Sequence, residues 1–111
     1  MNRPLQITFR GMSSSEAMSE HIRGEAEKLE QFFEHIVGCH VVVEQPHRHQ
    51  RQGNSFHVRV DLQVPGKDII AAKEHADRRY HEDPYQAVND AFEAARHQLQ
   101  HYAASLRDHH A

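Results

Sequence analysis

The stretch His81-Glu82-Asp83-Pro84-Tyr85-Gln86-Ala87-Val88-Asn89-Asp90-Ala91-Phe92-Glu93-Ala94-Ala95-Arg96-His97-Gln98-Leu99 decides how the rest of the chain must be arranged. Asp83 suits the N-cap, where its carboxylate can accept from the orphan N–H groups of a first turn. Pro84 fits the first helical position, where a missing N–H costs nothing, and Gln86 is spaced to complete a capping box. From there Tyr85, Val88, Phe92, Ala95, Leu99, Tyr102 and Leu106 recur at steps of three and four. That rhythm is one face of a helix of roughly six turns. An apolar stripe of this length needs a sheet beneath it.

The sheet is found by working back towards the N-terminus. Phe56, Val58, Val60, Leu62 and Val64 alternate with His57, Arg59, Asp61 and Gln63, the pattern of a strand with one buried face. Pro65-Gly66-Lys67-Asp68 reads as a tight turn with Gly66 available for positive φ, so Asp68 to Lys73 should return antiparallel. Upstream, Cys39-His40-Val41-Val42-Val43-Glu44 is β-branched enough for another strand, and the polar run Pro46 to Asn54 turns the chain between the two. Leu5, Ile7 and Phe9 alternate with Gln6, Thr8 and Arg10 to give a first strand, which Gly11 breaks. Between the first two strands Ser13 to Ser15 supply N-cap candidates, with Ser13 and Glu16 at capping-box spacing. Met18, Ile22, Ala26, Leu29, Phe33 and Ile36 then follow at helical intervals, interrupted by Gly24 and ended by Gly38. Residues 74–82 form a charged connection, and 107–111 are expected to fray.

The resulting order is β-α-β-β-β-α, an α+β fold. Its four-stranded mixed sheet has both helices packed on one face, strands one and two pairing parallel or lying near each other by a right-handed crossover, and strands two to four forming a meander. The other face, with His57, Arg59, Asp61 and Gln63, is left for solvent or for binding.

At 111 residues the chain is read as one domain, 1–111. Its single cysteine, Cys39, excludes an internal disulfide framework. Met1 to Leu5 has no apolar signal core and no run approaches the ~18 apolar residues of a membrane span, so a cytoplasmic chain without a membrane partner is expected. Sixteen acids against thirteen Lys and Arg give −3 with neutral histidines, yet there are twelve histidines, and protonating them all would carry the sum to +9. The sign of the molecule therefore depends on pH where histidine titrates.

Positive charge is concentrated. From Gln45 to Val60 there is no acid, while Arg48, Arg51, Arg59, His47, His49 and His57 gather there, and Arg78 and Arg79 make a second doublet. Phosphate contacts need density of charge rather than a fixed motif, and arginine suits bidentate contact. His97 and His101, four apart, share a helical face and are weak candidates for a metal, with His109 or His110 as a third ligand. His47 and His49 are poorer candidates because neighbouring arginines oppose a cation. Cys39 and His40 are adjacent on a strand and so point to opposite faces, which excludes a Cys–His pair. With no Gly-rich phosphate loop, nucleophile elbow or carboxylate pair, neither an enzyme, a cofactor nor a small-molecule substrate is indicated.

Three segments taken together resemble the ribosome hibernation-promoting factors and ribosome-associated translation inhibitors, also known as sigma-factor modulation proteins. They are Leu5-Gln6-Ile7-Thr8-Phe9; Lys28-Leu29-Glu30-Gln31-Phe32-Phe33-Glu34-His35-Ile36 running into His40-Val41-Val42-Val43; and His81 to Asp90 leading to Gln98-Leu99. The resemblance implies a fold like that of double-stranded RNA-binding domains. It implies the small ribosomal subunit and its RNA as partner, and occupation of the channel for messenger and transfer RNA without catalysis. It further implies a short form without the additional C-terminal domain of long hibernation factors.

The chain departs from the pattern in charge. Helix two, Pro84 to Arg107, sets Arg96 and Arg107 against Asp90 and Glu93; helix one sets Arg23 and Lys28 against Glu16, Glu20, Glu25, Glu27, Glu30 and Glu34. The segments at 46–54 and 74–82 also look long for a short family member. RNA contact is therefore expected from Arg48, Arg51, Arg59, Arg78 and Arg79, with Arg23, Lys28 and Arg96 contributing from the helices and His47, His49 and His57 adding charge when protonated. The alternative is a diverged interaction module of the same fold that binds a protein partner or a metal through its histidine-rich surface.

Overall fold

Alternation in residues 56–64 becomes an inner strand of the sheet. The computed structural model describes residues 1–45, 56–73 and 83–109. The elements are β1 (Gln6–Arg10), α1 (Glu16–Phe32), β2 (Gly38–Glu44), β3 (His57–Val64), β4 (Lys67–Lys73) and α2 (Pro84–His109). The sheet order is β1-β2-β3-β4. β1 pairs parallel to β2, from Gln6 opposite His40 to Arg10 opposite Glu44, while β2–β3 and β3–β4 are antiparallel. The β-α-β-β-β-α order and mixed sheet are those expected from the alternating patterns. With parallel β1 and β2 joined through α1, the helices are carried to one face.

That face is the core. Val41, Val43, Val58, Val60 and Leu62 from the strands are fully buried with Ile22 of α1 and Val88, Ala91, Ala95 and Leu99 of α2. Phe9 and Ile7 pack half-buried against the same cluster from β1. The expected α2 stripe holds in its middle and fails at its ends, where Tyr85 is 37 % and Leu106 40 % exposed. The helix outruns the sheet there, and Ala87 and Ala91, outside the stripe, are buried in their stead.

Several boundaries differ from expectation for local reasons. Of the N-cap candidates Ser13 to Ser15, Ser15 caps α1, its Oγ accepting from Met18 N–H at 3.1 Å, so the Ser13–Glu16 capping box is not formed. The helix stops at Phe32 because Phe33 is extended (φ −142°, ψ 112°), so Phe33 and Ile36 reach the core from beyond it. Asp83 caps α2 through Tyr85 N–H at 2.9 Å, but Gln86 turns forward to Asp90 at 2.9 Å instead of closing a capping box. α2 remains helical to His109, past the point where fraying was expected.

Two glycines are required where they stand. Gly66 (φ +80°) makes a two-residue turn with Pro65 between Val64 and its partner Lys67. Gly11 (φ +70°) follows β1 at a point where Gln45 N–H donates to the Arg10 carbonyl at 3.0 Å; a Cβ there would lie 2.4 Å from the Gln45 carbonyl oxygen. α2 is also tied down by side chains. Gln98 Nε2 donates to the Ile70 carbonyl of β4 at 3.0 Å, and Tyr102 Oη donates to the Pro65 carbonyl at 2.7 Å.

Candidate nucleic-acid interface

On the helical surface Arg23, Lys28 and Arg96 are already engaged, while Arg107 has no ion pair among the described residues. Arg23 donates to Glu20 at 2.6 Å and lies 4.0 Å from Glu16, and Lys28 donates to Glu25 at 3.1 Å. The Arg96 guanidinium sits 5.9 Å from the ring centre of Phe32, a cation–π contact at the end of α1. A cleft of about 230 Å³ runs between the helices over Leu29 and Phe92, and its walls set Lys28 and Arg96 against Glu25 and Glu93. Each exposed ion pair is weak in itself. A phosphate placed on Arg23 or Lys28 would nonetheless meet the carboxylates that now hold them.

The open face of the sheet is arranged differently. Register places Arg10, Glu44 and His57 in one row across β1, β2 and β3, with Thr8, Val42, Arg59 and Ala72 in the next. These two rows frame a hollow of about 180 Å³ lined by Arg10, Val42, Glu44, His57, Arg59 and Ala72. Arg59 reaches Asp61 at 3.4 Å, and both ends of that pair are partly solvated. Arg10 has no ion pair among the described residues, and Glu44 makes none with either neighbour in its row. Further along the face Arg3 donates to Gln63 at 2.7 Å, and His40 Nε2 shares a hydrogen bond with Thr8 Oγ1 at 2.8 Å.

Of the residues predicted to contact RNA, Arg59 and His57 are thus brought together on the open face, whereas Arg23, Lys28 and Arg96 lie on the helical side. Arg48, Arg51, His47 and His49 fall in 46–55, and Arg78 and Arg79 in 74–82, outside the described residues. Arg10 was not singled out by the sequence. Its signal was the outward parity of Gln6, Thr8 and Arg10, but only the register shows that it shares a row with His57.

Histidines partly serve packing. His21 of α1 lies edge-on to Tyr85, 5.2 Å between ring centres, and bonds Asn89 Oδ1 through Nε2 at 2.7 Å, joining the two helices. His97 and His101 are exposed, and no group of three or more His, Cys, Asp or Glu converges as metal ligands among the described residues. No described helix is long and apolar enough to cross a membrane.

Cys39 is buried under the helices, opposite in parity to His40. Burial, followed by the charges of Asp61 and Glu30, pushes its thiol from 9.0 up to about 12. Because the folded state resists thiolate formation, this group favours folding fully below its unfolded pKa, and that contribution is lost as pH rises from about 9 to about 12. The expected result is a urea midpoint that falls more steeply across this window in the wild type than in Cys39→Ala. Parallel curves would remove the thiol as a contributor.

The family described as Sigma 54 modulation protein / S30EA ribosomal protein matches this chain over residues 5–107. Among solved structures, a ribosomal subunit interface protein from Coxiella burnetii is similar at 21 % identity, covering 90 % of this chain and 97 % of that one with a TM-score of 0.70. The N-terminal domain of Protein Y from Thermus thermophilus is similar at 16 % identity, covering 92 % and 99 % with a TM-score of 0.65. No curated protein sequence matches. At these identities the two structures establish the shared fold.

Proposed function

The chain belongs to the Sigma 54 modulation protein / S30EA ribosomal protein family, and from that premise we propose that it is a ribosome-associated hibernation or translation-inhibiting factor held on the small subunit by RNA phosphates. The observation that carries this reading is the extent of the family match. Residues 5–107 take in all four strands, α1 and nearly all of α2. The name of the Coxiella protein, a ribosomal subunit interface protein, supports the same partner.

The mechanism is occupancy. A rigid domain seated in the channel for messenger and transfer RNA excludes both by volume, so no bond need be made or broken and no cofactor is required. Adhesion comes from Arg48, Arg51, Arg59, Arg78 and Arg79, each exchanging condensed counterions for a phosphate. Protonated His47, His49 and His57 add to them, with Arg23, Lys28 and Arg96 secondary. Such a factor works in the cytoplasm, where the ribosomes are.

Co-sedimentation with purified small subunits over a salt series tests this. Binding is expected to weaken with salt, and an Arg48/Arg51/Arg59→Ala variant should lose about 3 from the slope of log affinity against log salt, roughly one per phosphate contact. Failure of the wild type to bind at low salt overturns the ribosomal reading. The acidic face of α1, where Arg23 and Lys28 are held by glutamates, favours the second reading in that event, an interaction module of the same fold with a protein partner.

A further inference from the structure

We propose that the hollow on the open sheet face, framed by Arg10, His57 and Arg59, is a phosphate-binding site for RNA, so that this chain meets RNA with its sheet rather than with its helices. The inference rests on the ribosomal reading and adds which side of the domain makes contact.

The two sides of the domain offer a phosphate different surroundings. Across the helices, Arg23 and Lys28 lie among the carboxylates of Glu16, Glu20 and Glu25, and the cleft between the helices carries as many acids as bases. A phosphate entering there exchanges one anion for another and gains little. In the hollow the balance is different. Arg10 and Arg59 stand on either side of Val42, with Ala72 beyond Arg59 on β4; His57 adds a donor at the rim, and Glu44 is the one acid in the lining.

The two arginines come from different strands, β1 and β3, with β2 between them. From two strands apart, each can offer its own planar fork to a phosphate. Their positions are set by backbone rather than by side-chain partners. Arg10 is held at the end of β1 by the Gln45 N–H bond to its carbonyl, and Arg59 lies within the β2–β3–β4 ladder. The Arg59–Asp61 contact, at 3.4 Å, is longer than Arg23–Glu20 at 2.6 Å and Lys28–Glu25 at 3.1 Å, so a phosphate displaces it at smaller cost. Asp61 and Asp68 lie towards the Pro65–Gly66 turn, away from the row of Arg10 and His57.

Glu44 makes the proposal sharp. It lies between Arg10 and His57 in register and is ion-paired to neither, so it opposes a bound phosphate without organising the cations. Removing its charge should strengthen binding. A surface of merely solvated side chains would show no such gain.

The experiment compares wild type, Arg10→Ala/Arg59→Ala, Arg10→Lys/Arg59→Lys, Glu44→Gln and Arg23→Ala/Lys28→Ala. Two probes are used, purified small subunits and a labelled RNA duplex of about 16 base pairs, the span a double-stranded RNA-binding domain covers. The alanine pair on the sheet should weaken binding to both probes about tenfold or more and lower the salt slope by about 2, one for each lost phosphate contact. The lysine pair should keep the salt slope of the wild type while its affinity falls between wild type and the alanine pair, since lysine keeps the charge and loses the fork, and Glu44→Gln should tighten binding about threefold. The helix pair should change it less than about twofold.

Loss of binding in the helix pair, with the sheet pair unchanged, overturns the proposal. Subunit binding that ignores both sheet arginines and Glu44 overturns it while leaving the ribosomal reading in place. Duplex binding that follows the sheet variants, without subunit binding by the wild type, upholds the phosphate site and refutes the ribosome as partner. Binding of neither probe by the wild type refutes both.

Discussion

Gly11→Ala is expected to cost the domain about 3 kcal/mol, measured as a lowered urea midpoint at unchanged slope. Two effects combine. An alanine held at φ +70° pays the left-handed penalty of roughly 1–2 kcal/mol. Its Cβ would also lie 2.4 Å from the carbonyl oxygen of Gln45, a backbone atom that cannot swing aside without disturbing the end of β2. Gly24 supplies the opposite control. It lies within α1 at ordinary helical φ, and a methyl added there would have nothing within 4 Å, so Gly24→Ala should stabilise by about 1 kcal/mol. Stability of Gly11→Ala within about 0.5 kcal/mol of wild type would show that the β1–β2 end relaxes freely.

Leu99→Ala is expected to cost about 2–5 kcal/mol, in the range for deleting a leucine side chain from a packed core. Leu99 is fully buried where α2 crosses the strands, and its neighbours on that face, Ala91 and Ala95, are too small to close the cavity. Leu106 belongs to the same sequence stripe seven residues later but is 40 % exposed. Leu106→Ala should therefore stay within about 0.5 kcal/mol. Equal losses at the two positions would mean that Leu106 is buried in the folded domain.

That contrast shows where sequence patterns stop. β3 is readable because apolar residues at every even position from Phe56 to Val64 leave no other period, and α1 and α2 are readable through Met18, Ile22, Val88, Phe92 and Leu99. Periodicity, however, reports the direction of a side chain and not the extent of the surface opposite it. Tyr85 and Leu106 point the right way over a sheet too short to reach them. The caps were readable in kind and not in position, since Ser13, Ser14 and Ser15 are chemically alike and geometry chooses Ser15. For the candidate site, Arg59 and His57 were visible as charged positions on an outward-facing strand. Arg10 and Glu44 were not, because their relation to His57 depends on two strand registers, one of them across a crossover of the chain. The engagement of Arg23 and Lys28 was legible only as an excess of acids on α1, and its pairwise form, like the stacking of Arg96 on Phe32, needed the structure.

The bond from Gln98 to the Ile70 carbonyl bears on solubility. Among the described residues β4 is an edge of the sheet, and Ile69-Ile70-Ala71-Ala72 is an uncharged run whose Ile70 is 49 % exposed. Unpaired carbonyls along such a run are a template on which another copy can lay a strand, the first step of fibrous growth. Gln98 fills the acceptor at Ile70 with a side chain from the domain's own last helix. A strand added at Ile70 has to displace that bond.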